Sequence, residues 1–253
     1  MTQVNSDILN EVSSELEQTF GSLGFEFHPF KVGWYNAFVQ PAFKLNYDED
    51  TVAFVILSLP KMFENAFVPF VQEKHKQLCS VKDPIDECML HYLSDIYKMF
   101  AQFSVKVIHD FELHPNRRPK VIMQSAAHAS GAAYFYNPNS VYLDFTNEKR
   151  KMYGVCIHPR YGGWFAIRAV AIFENLKCPN LKRTPPPNIV PSIEDQTKLL
   201  QLYNFSWKDW RFRDIIEAKE KYSDLQMKYF STPPGYRLEV ISEILNEYDH
   251  EIL

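Results

Sequence analysis

Three cations, Arg117, Arg118 and Lys120, gather in the string His114-Pro115-Asn116-Arg117-Arg118-Pro119-Lys120. Guanidinium groups hold phosphates and carboxylates through paired hydrogen bonds, so the cluster could clamp an anion. It also suits a solvated loop before a strand, and by motif alone that is the better reading. Next comes a run of very small residues ending in aromatics, Gln124-Ser125-Ala126-Ala127-His128-Ala129-Ser130-Gly131-Ala132-Ala133-Tyr134-Phe135-Tyr136. Small side chains let something large approach the backbone, and aromatics supply flat faces for it. The combination suggests a pocket for a bulky, flat ligand. His128 could act there as a metal ligand, a proton donor or a donor to a ligand carbonyl, or it could be a satisfied structural histidine.

Cys156 and His158 lie on one face if Tyr153 to His158 is a strand. Direct activation of the thiol needs hydrogen-bond reach, whereas same-face neighbours along a strand sit about 6–7 Å apart. Core packing is the better reading of Cys156. Tyr161-Gly162-Gly163-Trp164 reads as a tight hairpin turn that could also bring backbone N–H groups against a ligand. Arg168 falls inside the apolar stretch Phe165 to Phe173. A cation there is costly unless an acid or a ligand anion pairs with it, which makes Arg168 the best single-residue hint of an anion site. Trp207, Asp209, Trp210, Arg211, Phe212 and Arg213 form an aromatic–arginine cluster, either a binding surface or a packed helix edge. No GxGxxG, P-loop, GxSxG or HExxH occurs, and no residue is assigned as acid, base or nucleophile.

Composition bounds what can position these groups. Aromatics make up 15% of the chain, which favours strands and aromatic-lined cavities. A formal charge of -4 offers no basic field for nucleic acid. No apolar run approaches the ~20 residues that span a bilayer. Met1 to Glu17 is acidic and helical in pattern, unlike a signal or transit peptide. Cys79, Cys88, Cys156 and Cys178 form no CxxC and read as reduced thiols of a cytosolic protein.

Ile8, Leu9, Val12, Leu16 and Phe20 share one helical face. Phe25 to Phe30 alternates as a strand, and Val32 to Phe43 reads as irregular. Thr51 to Leu59 is a buried central strand. Pro60 to Gln77 is helical, with a kink at Pro69. Asp83 to Phe103 is the clearest helix, with Asp83 as cap and Pro84 at its first position. Val105 to Ile108, Lys120 to Gln124, Val141 to Phe145, Tyr153 to His158 and Phe165 to Phe173 are further strands. The last two are expected to pair as a hairpin, and Ser125 to cap a short helix through Ala133. Together these give an α+β fold. The Pro-rich stretch Lys177 to Pro191 is extended and marks a boundary. Ser192 and Asp195 then open a mostly helical remainder, broken at Thr232-Pro233-Pro234. The expected organisation is a sheet domain, 1–176, followed by the crossing and a helical cap, 177–253.

HPNRRPK, QSAAHASGAAYFY and GVCIHPRYGGWFAIR, in that order, resemble the cytosolic cobalamin-processing family of the cblC type, methylmalonic aciduria and homocystinuria type C. PFKVGWYNAF, NFSWKDWRFRD and YFSTPPGYR extend the resemblance from about Phe25 to Arg237. The family's proline-rich tail has no counterpart before Leu253. The resemblance implies a flavin nitroreductase-like sheet domain with a mostly helical C-terminal part closing over the ligand site. It implies base-off cobalamin binding, reductive decyanation of cyanocobalamin and glutathione-dependent dealkylation of alkylcobalamins.

The cobalamin-binding positions it implies are Asp110, Val121, Ile122, Met123, Gln124, His128, Phe135, Tyr136, Asn137, Cys156 and Ile167. Asn137 stands where the family usually has Gln. Arg168, Arg213 and Arg237 match glutathione-binding positions, with Asp209 and Asp214 as the partners they would have if they were only structural. FMN or FAD is the implied electron source, through a flavin reductase. A cobalamin-trafficking adaptor is an implied downstream partner, and the location is cytoplasmic. No resident metal is expected, since cobalt arrives with cobalamin. Two rival readings are a plain flavin nitroreductase, with Arg117, Arg118 and Lys120 for the phosphate, and a non-catalytic cobalamin carrier.

Overall fold

The computed structural model describes residues 2–78, 83–140 and 152–249. Cys79 and the strand expected at Val141 to Phe145 lie outside the described residues. In chain order the strands are β1 (Phe25–Lys31), β2 (Thr51–Ser58), β3 (Val105–His109), β4 (Tyr134–Tyr136), β5 (Val155–Ile157) and β6 (Ala166–Lys177). The helices are α1 (Thr2–Phe20), α2 (Val32–Asn36), α3 (Val68–Leu78), α4 (Pro84–Leu93), α5 (Asp95–Met99), α6 (Met123–Ser130), α7 (Ile193–Phe205), α8 (Asp224–Ser231) and α9 (Arg237–Asp249).

The two most apolar strands, β2 and β6, pair antiparallel at the centre of a four-stranded sheet of order β1-β2-β6-β3. Successive strand residues point to opposite faces, and both faces are covered. Val52, Phe54, Ile56, Ala169, Ala171 and Phe173 meet one core, built with α1, α4, α8 and α9. Ala53, Val55, Leu57, Val170 and Ile172 meet a second, built with α2 and α6. Two-sided burial is what an uninterrupted apolar strand requires. A third, smaller core joins β4 and β5 to Leu199 and Leu200 of α7 and to Phe212. The antiparallel sheet with helices on both faces agrees with the α+β reading.

Several local expectations change. The last two strands do not form a hairpin. β5 pairs with β4 in a separate two-stranded sheet, while β6 enters the main one. The reason is burial: β6 carries apolar side chains on both faces, and only the sheet centre covers both. The strand expected at Lys120 to Gln124 is replaced by the start of α6, and the Ile122 N–H is taken by the Tyr35 hydroxyl at 3.0 Å. Ser125 therefore lies inside α6, which ends at Gly131. The long helix from Asp83 breaks at Ser94, whose hydroxyl donates back to the His91 carbonyl at 2.8 Å and competes with the helix. Val32 to Phe43 holds the short α2 and a 3₁₀ turn, Pro41–Phe43. The irregularity near Pro69 is a π-helical turn just upstream, Phe63–Phe67. Ser192 does cap α7, accepting from the Asp195 N–H at 3.3 Å.

Candidate functional site

Two cavities adjoin beside the N-terminal end of β5 and the start of β6. The first, about 350 Å³, is lined by Asp110, Val121, Ile122, Met123, Gln124, Cys156 and Ile167, together with Gly163, Phe165, Tyr203, Phe212 and Arg213. The second, about 610 Å³, is lined by Arg168, Trp207, Trp210, Tyr222 and Phe230. Ala166, Tyr203, Phe212 and Arg213 line both, and so form a common wall. β6 supplies Ala166, Ile167 and Arg168 as consecutive residues. Its alternation sends neighbours to different faces, so one strand serves both cavities.

Arg213 is held by aromatics and carbonyls. Its guanidinium carbon lies 5.0 Å from the ring centres of Trp210, Phe212 and Tyr222, and 5.8 Å from that of Trp164. It donates to the Gly163 and Phe165 carbonyls, while its buried Nε has no partner among the described residues. The chain reaches this position through Trp210, at φ +65°, a strained conformation for a large residue. The approach also needs Gly162 and Gly163. A Cβ on Gly162 would stand 2.5 Å from the Arg213 carbonyl oxygen, and one on Gly163 would stand 2.7 Å from the Arg213 Cα. The Gly163 N–H donates to that carbonyl at 3.0 Å, so the backbone donor suspected in this turn serves the protein itself.

Arg168 is buried and donates through Nε to Ser58 Oγ at 2.8 Å, with no carboxylate in ion-pairing reach among the described residues. Arg237 differs. Its Nη1 donates to both Asp83 carboxylate oxygens, at 2.7 and 2.6 Å, and its Nε donates to the Thr232 carbonyl. Neither Asp209 nor Asp214 pairs with any of the three. Asp209 holds Arg211, and Asp214 accepts from Trp164 Nε1 and pairs with Lys221. Nothing in the sequence marked Asp83 as the partner of Arg237, because it also looked like a helix cap. It stands at that position without capping through its side chain.

Seven of the eleven residues expected to contact cobalamin line the first cavity. His128, Phe135, Tyr136 and Asn137 line neither. His128 Nδ1 accepts from the Phe135 N–H at 3.2 Å, and its ring meets Phe38 and Tyr134 edge-on. Burial, helped by Arg183, lowers its pKa and so favours the neutral ring. The Tyr136 hydroxyl binds Asn188 and the Val190 N–H, and Asn137 closes a turn on Asn139. The alanines of the small-residue run pack into the second core, so the large partner that approaches this backbone is the sheet. Cys156 is buried, its thiol donating to the Gln124 carbonyl at 3.6 Å. Burial pushes its pKa up, which suits the packing role. Tyr203, on α7, Tyr222, just before α8, and Phe230, near the end of α8, were not marked by the sequence, since an aromatic carries no local sign of facing a cavity.

The Cys156–His158 pair is not a catalytic unit, because His158 turns to Glu26. Glu26 accepts from the Nε2 atoms of His28 and His158, each at 3.1 Å, and from Arg160. Burial works against its charge, yet the bonds from His158 and His28 hold its carboxyl well below the usual range. These residues have the composition of a metal site. The tautomer argues otherwise. His158 Nδ1 already accepts from the Arg160 and Tyr161 N–H groups, at 3.1 and 3.2 Å, so the proton sits on Nε2 and occupies the ligand position. In the basic loop, Lys120 is committed to Glu112 at 2.6 Å, and Arg117 and Arg118 are exposed outside both cavities. No helix among the described residues is long and apolar enough to cross a membrane.

A two-sided antiparallel sheet carrying adjoining cavities, with Arg213 on their common wall and Arg168 in the second, neither paired with a carboxylate among the described residues, defines an α+β protein with a candidate ligand site. The chain belongs to the methylmalonic aciduria and homocystinuria type C family, whose pattern matches residues 24–241. It is 50% identical over 230 residues to a Gallus gallus protein named cyanocobalamin reductase / alkylcobalamin dealkylase, covering 91% of this chain and 95% of that one. The Homo sapiens protein of the same name is 42% identical over 231 residues, covering 91% and 81%. The crystal structure of a Caenorhabditis elegans B12-trafficking protein, CblC, superposes with a TM-score of 0.86 at 33% identity, covering 96% and 97% of the two chains. The family read from the three central strings is borne out.

Proposed function

We propose that this protein processes cobalamin, binding it base-off and removing its upper axial ligand. Cyanide would leave by reductive decyanation, and alkyl groups by transfer to glutathione. The observation that carries the reading is the common wall, where Arg213 stands between a cavity lined by seven of the expected cobalamin contacts and a second that holds Arg168. Cobalamin is much larger than the first cavity, so only the corrin face bearing the upper ligand would enter. Without its axial nitrogen donor, cobalt accepts electrons more readily. Cobalt carries the bond chemistry, and the protein orients and excludes water.

In dealkylation, Arg168 and Arg213 would hold the glutathione carboxylates, since guanidinium keeps its charge at any working pH. Their positive field favours the thiolate. The sulfur attacks the alkyl carbon, the Co–C pair stays on cobalt, and cob(I)alamin and a thioether result. Arg237 is the third position the resemblance implies, but Asp83 occupies its Nη1 and leaves Nη2 for a ligand. Electrons for decyanation come from outside the chain. A reduced FMN or FAD supplied by a flavin reductase is the implied donor, and the exposed Arg117 and Arg118 favour a passing donor over a tightly held one. A trafficking adaptor as the receiver of the product and a cytoplasmic setting complete the proposal. The buried free thiols of Cys88, Cys156 and Cys178 suit a reducing compartment.

Visible spectra of cyanocobalamin and methylcobalamin with the protein, with and without glutathione, test the reading. The expected result is a base-off spectrum on binding and conversion of methylcobalamin only when glutathione is present. Arg213→Ala should slow that conversion about tenfold or more, as one lost charge-assisted contact would. A base-off spectrum with no turnover would mark a carrier. A yellow protein that reduces small acceptors and leaves the cobalamin spectrum unchanged would mark a nitroreductase.

A further inference from the structure

We infer that the Tyr203 hydroxyl donates a hydrogen bond to cyanide as it leaves cobalt, and so sets the balance between decyanation and dealkylation. The inference rests on the reading of the first cavity as the seat of the corrin face. Tyr203 belongs to α7, whose Leu199 and Leu200 anchor it in the third core. Residues three and four positions on share a helical face, so Tyr203 follows those anchors inward, toward the cavities. Its ring packs edge-on against Phe212 at 5.1 Å, and it lines both cavities at their common wall. A ligand standing upright on a corrin in the first cavity would point at this wall.

Position and hydroxyl together mark Tyr203: it is the tyrosine that lines the first cavity, whereas Tyr222, whose hydroxyl also lacks a partner among the described residues, lines only the second. The hydroxyls of Tyr35, Tyr92, Tyr136 and Tyr229 all donate to protein acceptors. That of Tyr203 has no hydrogen-bond partner among the described residues, although the ring is half-buried. The oxygen is open to the cavity and not sealed inside the protein, so a ligand there can replace water as its acceptor. Burial raises its pKa, with Arg213 opposing and Cys156 reinforcing, so the group stays protonated at working pH and acts as a donor, not a base.

The chemistry makes the effect selective. In decyanation, two electrons from a reduced flavin reach cobalt(III). The Co–C bond breaks with its pair on cyanide, leaving cob(I)alamin and cyanide anion. Negative charge grows on the cyanide nitrogen, and the hydrogen bond from Tyr203 strengthens while the proton stays on oxygen. In dealkylation the pair stays on cobalt and the carbon goes to sulfur. An alkyl group offers no lone pair, so the hydroxyl has nothing to stabilise.

Tyr203→Phe tests this. The ratio of the decyanation rate to the dealkylation rate should fall about tenfold, the size of one hydrogen bond that tightens in the transition state. The C≡N stretch of bound cyanocobalamin should also shift between wild type and variant in infrared difference spectra. An unchanged ratio, or an unshifted stretch, overturns the inference while leaving the cobalamin reading intact. A melting temperature several degrees lower would show that the hydroxyl is structural, which also overturns it. If the wild-type protein itself neither binds nor converts cyanocobalamin, the cavity reading fails and this one with it.

Discussion

Buried and half-buried cations and acids in this protein divide into those with protein partners and those without. Among the described residues Arg168 and Arg213 have no carboxylate partner, which leaves their charge available to a ligand. Asp86, on α4, shares their field. Burial, and then repulsion from Asp83 and Asp110, raises its pKa from 3.8 to about 6, against the pull of Arg168 and Arg237. A carboxyl raised in the folded state binds its proton more tightly there than in the unfolded chain. The stability it contributes is present below its ordinary value of 3.8 and is lost as pH rises through about 6. Asp86→Asn should therefore stabilise the protein at pH 7.5 by about 1–2 kcal/mol, allowing for screening, and change little below about pH 4. Thermal melts at the two pH values check this. A variant less stable at pH 7.5 would mean that the ionised carboxylate is net favourable beside the two arginines.

Elements place these residues through close backbone approaches. Gly131 ends α6 at φ +84°, where a Cβ would stand 2.3 Å from the Thr184 carbonyl oxygen. It thus sets how the Pro-rich crossing runs past α6. Read as part of a ligand pocket, Gly131 would tolerate a change at some cost in binding only. The structure gives a different expectation. Gly131→Ala should destabilise by at least about 2 kcal/mol, because the left-handed backbone and the clash with Thr184 add. Urea denaturation measures it, and a variant as stable as wild type would show that the crossing can move aside. The alanine run was legible as a place of close approach. What approaches was not, because small residues admit a sheet and a corrin equally well.

Over the whole molecule, the Asp83–Arg237 pair joins the starts of α4 and α9, and Tyr229 lies beneath the guanidinium at 4.9 Å. Both side chains are largely sheltered, at 21% and 11% exposure, so removing one leaves the other charge stranded. Arg237→Ala should cost about 2–4 kcal/mol, and adding Asp83→Asn should recover part of that loss in a double-mutant cycle. Dealkylation measured well below the melting point separates this role from glutathione binding. A loss in Arg237→Ala as large as in Arg213→Ala, at equal folded fraction, would give Arg237 a ligand as well as a partner.

The sequence by itself determined what depends on neighbours along the chain. The uninterrupted apolar runs of β2 and β6, Pro84 at a helix start, Ser192 as a cap and the cost of a cation at Arg168 are all local, as are the strings that reveal the family. Tertiary structure alone decided the partners. Asp83 and Arg237 stand 154 positions apart, and Glu26 and His158 stand 132 apart. No periodicity or capping rule reaches across such a separation. The same holds for Tyr203, whose helical pattern says which way it turns but not that two cavities meet there. Which strand β6 pairs with was likewise a matter of covering both of its faces, a condition that only the folded sheet and its helices satisfy.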